Sequence, residues 1–290
     1  MNLVVGATGL LGSEICRALA AEGKPVRALV RTTSDQSKVS QLESLGVEIA
    51  VGDLNDPSSL DAACRGASTV ISTASATISR QEGDSIQTVD LEGQLSLINA
   101  ANAAGLSQFA LISFSQSDLE FPLQTAKSAV EEHLKSSGLT YTILQPAIFM
   151  EVWLSPALGF DAANAKAPIY GSGENKSSWI SYKDVAKFSI ASLDNPAARN
   201  AVIELGGPEA LSPLEVVRIF ERALGQKFDI QHVPEDALRQ QRESAIDPLQ
   251  QTFAALMLDY SRGTVINMEK TLQNFSVQLI SLKDFAQANI

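Results

Sequence analysis

The stretch Leu3-Val4-Val5-Gly6-Ala7-Thr8-Gly9-Leu10-Leu11-Gly12-Ser13-Glu14-Ile15 decides the fold. A short apolar run ends at Gly6, and two more glycines follow at three-residue spacing. Leu11, Ile15, Ala18 and Leu19 then recur at helical spacing until Gly23. Strand, glycine turn and helix in that order form the phosphate-binding corner of a dinucleotide-binding βαβ unit. A pyrophosphate needs a tight turn, a backbone with no Cβ in its way, and free N–H groups at a helix start. Gly6, Thr8, Gly9, Leu10, Leu11 and Gly12 are therefore expected cofactor contacts, in the spacing G-x-x-G-x-x-G.

Working outward, β-rich apolar runs alternate with helical stretches, as in a parallel sheet with crossover helices. Strands are expected at 3–5, 26–30, 47–51, 69–73, 109–113 and 140–144, and helices at 10–22, 35–45, 58–64, 85–104 and 125–136. Right-handed crossovers give an α/β fold, a doubly wound parallel sheet of six strands over residues 1–147. Residues 148–290 carry no second βαβ series. They are expected to form a smaller α+β lobe, interleaved with the first and covering the sheet's carboxyl edge. Within it 201–205 reads as a strand, 213–224 as a helix and 171–178 as a loop.

The end of the second strand selects the dinucleotide. An acidic residue there would accept from a ribose 2′-OH, whereas a 2′-phosphate asks for a cation. The residue is Arg31, followed by Thr32, Thr33 and Ser34, with Lys38 one helical turn on. An arginine fork takes two phosphate oxygens at once, so NADP(H) is the expected cofactor; the alternative is a solvated strand end. In Gly52-Asp53-Leu54, Asp53 can accept from an adenine amino group or form an Asx turn before Pro57. Thr73, Ala74 and Ser75 are expected to line the cofactor's path, and Ser113 and Ser115 to reach nicotinamide or substrate.

Composition removes other classes. The chain has 290 residues, 45% hydrophobic and 19% charged, as in ordinary globular proteins. Its 33 acidic residues against 22 basic ones give a net charge of −11, which repels nucleic acid. No apolar run is long enough to span a bilayer, and a cytoplasmic location is expected. Cys16 and Cys64 form no C-x-x-C pair, and His133 and His232 lie in no zinc motif, so no metal is expected. His133 is expected on a solvated helix face. Neither G-x-S-x-G nor G-x-x-x-x-G-K-[ST] occurs, which leaves serine-hydrolase and P-loop readings without support.

The string from Leu3 to Arg31, the 46–54 stretch, Ala126-Lys127 and Leu144-Gln145-Pro146-Ala147 together resemble the NmrA-like family of atypical short-chain dehydrogenase/reductases, in its bacterial quinone and triphenylmethane reductase type. The resemblance implies a Rossmann fold, NADP binding, and either reduction of a small conjugated substrate or cofactor sensing without catalysis. It also brings Pro146 among the expected cofactor contacts. Many members of the broader superfamily use Y-x-x-x-K, but here Leu123 stands four residues before Lys127. Leucine cannot transfer a proton; a lysine in the same place acts directly in the related isoflavone and benzylic ether reductases, and that resemblance implies Lys127 as the catalytic residue, also touching the cofactor. The alternative is a surface lysine paired at i,i+4 with Glu131, which would in turn pair with Lys135. Phe149, Trp153 and Trp179 are expected substrate contacts, among aromatics that also include Phe160, Tyr170, Phe253 and Tyr260; core packing or a subunit interface would explain the same residues. The expected activity is NADPH-dependent reduction of a quinone-like or aromatic substrate by a monomer or homodimer. An NADP(H)-sensing regulator and a cofactor-stabilised assembly factor are the alternatives.

Overall fold

β1 (Asn2–Val5) is buried along its whole length, and the chain turns from it at Gly6 directly into α1 (Leu10–Ala21), whose Leu11, Ile15, Cys16 and Leu19 face inward. The computed structural model describes residues 1–78 and 81–290. The crossover repeats through β2 (Val26–Val30), α2 (Gln36–Ser44), β3 (Glu48–Val51), α3 (Pro57–Cys64) and β4 (Thr69–Ser72). Asp35 and Asp56 cap α2 and α3, accepting from Ser37 N and Ser58 N, and Pro57 occupies a first-turn position where no N–H is needed. A π-helix (Ile86–Gly93) and α4 (Gln94–Ala103) lead to β5 (Gln108–Ile112), and α5 (Pro122–Ser136) leads to β6 (Thr140–Pro146).

The ladders β6-β5-β4-β1-β2-β3 are all parallel, with Val5 opposite both Leu29 and Ser72. The connections reverse direction between β1 and β4, the switch point at which doubly wound sheets bind ligands. Further along come β7 (Ile148–Phe149), α6 (Met150–Trp153), β8 (Lys166–Tyr170), β9 (Ser177–Ile180), α7 (Tyr182–Asp194) and β10 (Ala201–Leu205). β10 is a seventh strand, next to β6, with Asn200 N donating to Tyr141 O and Ala147 N to Leu205 O. The expected six-stranded sheet is thus corrected to seven. The strand was legible, but its partner lies across a long connection that carries no local signal.

Two compact units divide the chain: residues 1–113, 122–145 and 185–203 form the first, and residues 114–121, 146–184 and 204–290 the second. The first has its core in Leu3, Val5, Leu60, Val70, Leu97, Ile98, Phe109, Leu111 and Ile143. The second contains two small sheets, β7-β9-β11 (β11, Ala210–Leu211) and β8-β12 (β12, Asp229–Val233). Its helices include α8 (Pro213–Leu224), α9 (Glu235–Ser244), α10 (Pro248–Arg262), α11 (Glu269–Asn274) and α12 (Leu282–Ala288). α8 has the fullest local code: a Ser212/Glu215 capping box, Pro213, and Gly225 in the left-handed conformation after the last turn. Residues 171–178, expected as a loop, are one only up to the start of β9, because Ser177 and Ser178 are buried strand residues.

Candidate cofactor and active site

The glycine turn assigns its three glycines different tasks. Gly6 has φ +80°, and a Cβ there would meet Thr73 Oγ1 at 2.6 Å and Ala74 N at 2.9 Å. At Gly12 a Cβ would stand 2.2 Å from Gly6 O. Both glycines are demanded by the protein's own close packing. A Cβ on Gly9 would approach only Gly6 O, at 3.2 Å, so the space before Gly9 is open. α1 starts at Gly9 with no side-chain cap and no acidic residue in its first turn. Its first N–H groups have no intrahelical acceptor and so suit an anion. A pyrophosphate fits this cradle. Leu10 is exposed at 54%, while Leu11 is buried. Thr73 Oγ1 donates to Val5 O at 3.1 Å and braces the turn from β4.

Lys38 Nζ reaches across to Thr8 O at 3.2 Å. Arg31 is no solvated strand end: its Nη1 pairs with Asp84 Oδ2 at 2.7 Å, the carboxylate being 3% exposed and the arginine 25%. Thr32 is exposed. Asp53 forms the Asx turn, its Oδ1 accepting from Asn55 N at 2.9 Å, and Leu54 is a core residue against which Gly93 packs. Ala74 O accepts from Gln94 Nε2 at 3.1 Å, and Ser75 Oγ lies 3.1 Å from Thr77 Oγ1.

Lys127 is buried on the inner face of α5. Its Nζ lies 3.4 Å from Ile112 O and 3.5 Å from Asp90 Oδ1 on the π-helix. Glu131 instead accepts from Gln145 Nε2, at 3.0 and 3.1 Å, and Lys135 pairs with Glu132 at 2.7 Å. The surface i,i+4 alternative for Lys127 is thereby excluded. Asp90 has no exposed surface; its Oδ2 accepts from Ala76 N at 3.0 Å, while among the described residues its Oδ1 has no hydrogen-bond partner and faces only the Lys127 ammonium. Ser113, the residue after Ile112, likewise has a buried Oγ with no hydrogen-bond partner among the described residues. Buried polar atoms are rarely left without a hydrogen bond, so a ligand or water would fit against these two. Leu123, one turn before Lys127, is buried. Pro146 ends β6, its carbonyl accepting from Ser115 N at 3.2 Å.

Asp84 and Asp90 were missed from the sequence. Asp90 had a signal, since it falls among Ile86, Val89, Gly93 and Leu97, an acid on an otherwise apolar stripe. The expected helix 85–104 is π-helical through Gly93, a widening common at functional sites. His133 is half-buried, its Nε2 2.8 Å from Asn99 Oδ1.

In the second unit the aromatic residues pack mostly on one another. Trp153 stacks on Tyr260 at 4.4 Å and 11°, and Tyr170 and Trp179 meet Tyr260 edge-on. Trp179 has no exposed surface and its Nε1 donates to Leu211 O at 2.9 Å. It is a core residue, which corrects its assignment to substrate. The cavity lined by Trp153, Tyr170, Val216 and Tyr260 holds about 10 Å³, room for about one water. Phe149 and Trp153 are partly exposed. Among the described residues no three His, Cys, Asp or Glu side chains gather as a metal requires, and no helix is long and apolar enough to cross a membrane.

A doubly wound sheet with a glycine turn at its first crossover defines a dinucleotide-binding fold. The chain belongs to the NmrA-like family, whose model matches residues 2–279. It is 30% identical over 279 residues to an NAD(P)H azoreductase of Xenophilus azovorans, covering 93% of this chain and 92% of that protein. It is 33% identical over 239 residues to the photosystem II assembly factor Ycf39 of Guillardia theta, covering 80% of this chain and 73% of that protein. The NADPH complex of the quinone oxidoreductase QOR2 from Escherichia coli superposes with a TM-score of 0.80, covering 100% of this chain and 99% of that one at 21% identity, a likeness of fold.

Proposed function

We propose that this protein is an NADPH-dependent reductase of small conjugated acceptors such as quinones and aromatic dyes. The observation that carries the reading is the buried Lys127–Asp90 pair beside the hydroxyl of Ser113, which has no hydrogen-bond partner among the described residues, on the elements that follow the switch point. The open glycine cradle, with Lys38 and Arg31 nearby, supports NADP(H) as the cofactor. Bound there, it supplies the hydride. The N-terminus of α1 holds the pyrophosphate, and the exposed side of Arg31 takes the 2′-phosphate. Lys127 Nζ and Ser113 Oγ bind and orient the nicotinamide end, with Asp90 holding the ammonium in place. Conjugated acceptors can take their proton from solvent, so Leu123 in place of a tyrosine does not block the reaction. The azoreductase similarity, extending over nearly the whole of both chains, supports this reading.

The similarity to an assembly factor supports a second reading, in which cofactor binding serves a protein partner and no reduction occurs. Mixing the protein with NADPH and a panel of quinones, azo dyes and enones separates the two. A reductase bleaches the nicotinamide absorbance well above the protein-free rate and ignores simple ketones. Lys127→Ala alone would strand a buried charge on Asp90, at a cost of about 3–5 kcal/mol. The neutral pair Lys127→Met with Asp90→Asn is the better variant, expected to lower turnover roughly hundredfold. A panel left unbleached, together with a partner bound only in the presence of NADPH, would overturn the reductase reading.

A further inference from the structure

We propose that Asp84 is a specificity-determining residue, which sets the preference for NADP(H) over NAD(H) by holding the Arg31 guanidinium from behind. The proposal rests on the reading that Arg31 meets a 2′-phosphate. Asp84 lies in the segment between β4 and the π-helix, 53 residues after Arg31. Its Oδ2 accepts from Arg31 Nη1 at 2.7 Å and from Gln81 N at 2.9 Å. The same segment clasps the neighbouring loop a second time. Gln81 Nε2 donates to Thr33 O at 3.2 Å, and Thr33 Oγ1 bonds Gln81 Oε1. The loop also closes on itself, with Arg31 N donating to Ser34 Oγ at 3.0 Å and Ser34 N to Arg31 O at 2.9 Å.

The burial is asymmetric. The carboxylate is shielded at 3% exposure, and the guanidinium it pairs with keeps 25%. Among the described residues Nε and Nη2 have no partner, which leaves the side-on edge of the fork free for two phosphate oxygens. A free arginine must give up its rotamer freedom on binding, whereas one tethered at Nη1 has already done so. The opposing effect is charge, since Asp84 offsets part of the attraction for a phosphate dianion. The carboxylate sits on Nη1 and is the less exposed of the two, so a phosphate on the Nε–Nη2 edge meets the donors first and the orienting effect prevails.

The test is calorimetric titration of NADP⁺ and NAD⁺ into the full chain and its variants, with melting curves to verify folding. The parent is expected to bind NADP⁺ at least tenfold more tightly. Asp84→Ala should reduce that ratio about fivefold to tenfold while leaving NAD⁺ affinity unchanged. Asp84→Asn keeps an acceptor oxygen for Arg31 and should fall between; it carries the test alone if the alanine variant does not fold. On an Arg31→Ala background, Asp84→Ala should change the ratio no further. A ratio unchanged or increased in the Asp84 variants would overturn the proposal. A parent that does not distinguish the two cofactors would overturn the Arg31 reading beneath it.

Discussion

A methyl group added at Gly12 would sit 2.2 Å from the Gly6 carbonyl oxygen, and one at Gly9 would touch that oxygen only at 3.2 Å. Substitutions at the two positions should therefore fail differently. Gly12→Ala is expected to lose at least about 1–3 kcal/mol of stability, because the neighbour that must yield is backbone. Gly9→Val should melt within a few degrees of the parent, since Gly9 has φ −78°, but should bind NADPH at least about a hundredfold more weakly. Calorimetry with parallel melting curves gives both readouts, and unchanged affinity in Gly9→Val would remove the turn from the phosphate site. These glycines were legible in the sequence because the demand on each is local, a dihedral or a close approach within a few residues. Arg31 stood out by its place at a strand end. Its pairing with Asp84 did not, since it joins loops far apart in the chain, and Asp53 forms the Asx turn through one carboxylate oxygen.

The helical stretch 85–104 shows what periodicity can and cannot yield. Its apolar spacing gave a helix at the right place, and its first part is π-helical. Gly93 lies against Leu54, where an added Cβ would come within 2.7 Å of the leucine Cβ, and such a tertiary contact leaves no trace in local spacing. In the second unit, the loop after β5 meets α10 through Ser117 Oγ, which donates to Asp259 Oδ1 at 2.7 Å. Burial pushes the Asp259 carboxyl above its ordinary value; the Ser117 bond and Arg262 oppose this, and Asp118 adds to it. A carboxyl with a raised native pKa stabilises the fold while protonated, and that contribution is lost as the pH rises through the raised value. Asp259→Asn keeps an acceptor for Ser117 and should raise the melting temperature at pH 7 by roughly 1–3 °C, discounted for partial exposure. Melting curves should converge as the pH falls toward the ordinary aspartate range. A variant less stable than the parent at pH 7 would show that the carboxylate is needed ionised.

At the scale of the whole molecule, both cysteines lie in the first unit with no exposed surface. Burial pushes the Cys16 thiol up to about 12; burial and then Asp61 push Cys64 up to about 11, against a smaller pull from Arg27. Neither is a thiolate at neutral pH, so labelling by a disulfide reagent waits for the unit to open. A ligand bound only to the folded form at 100 times its Kd adds about 2.7 kcal/mol. NADPH at that level should slow labelling of both cysteines by about a hundredfold, measured by the reagent's absorbance. Labelling at the same rate with cofactor bound would mean that the thiols are reached by small local openings.

The route of the chain has a consequence for biosynthesis. The first unit takes its last segment, residues 185–203, only after residues 146–184 of the second have been made, and that segment carries the start of the strand beside β6. At about 5–20 residues per second, a ribosome leaves the edge of β6 without its neighbour for roughly 3–12 s. An open strand edge is a template for pairing with other chains. During that interval the nascent protein offers this edge to such pairing, and chaperone cover would act on it.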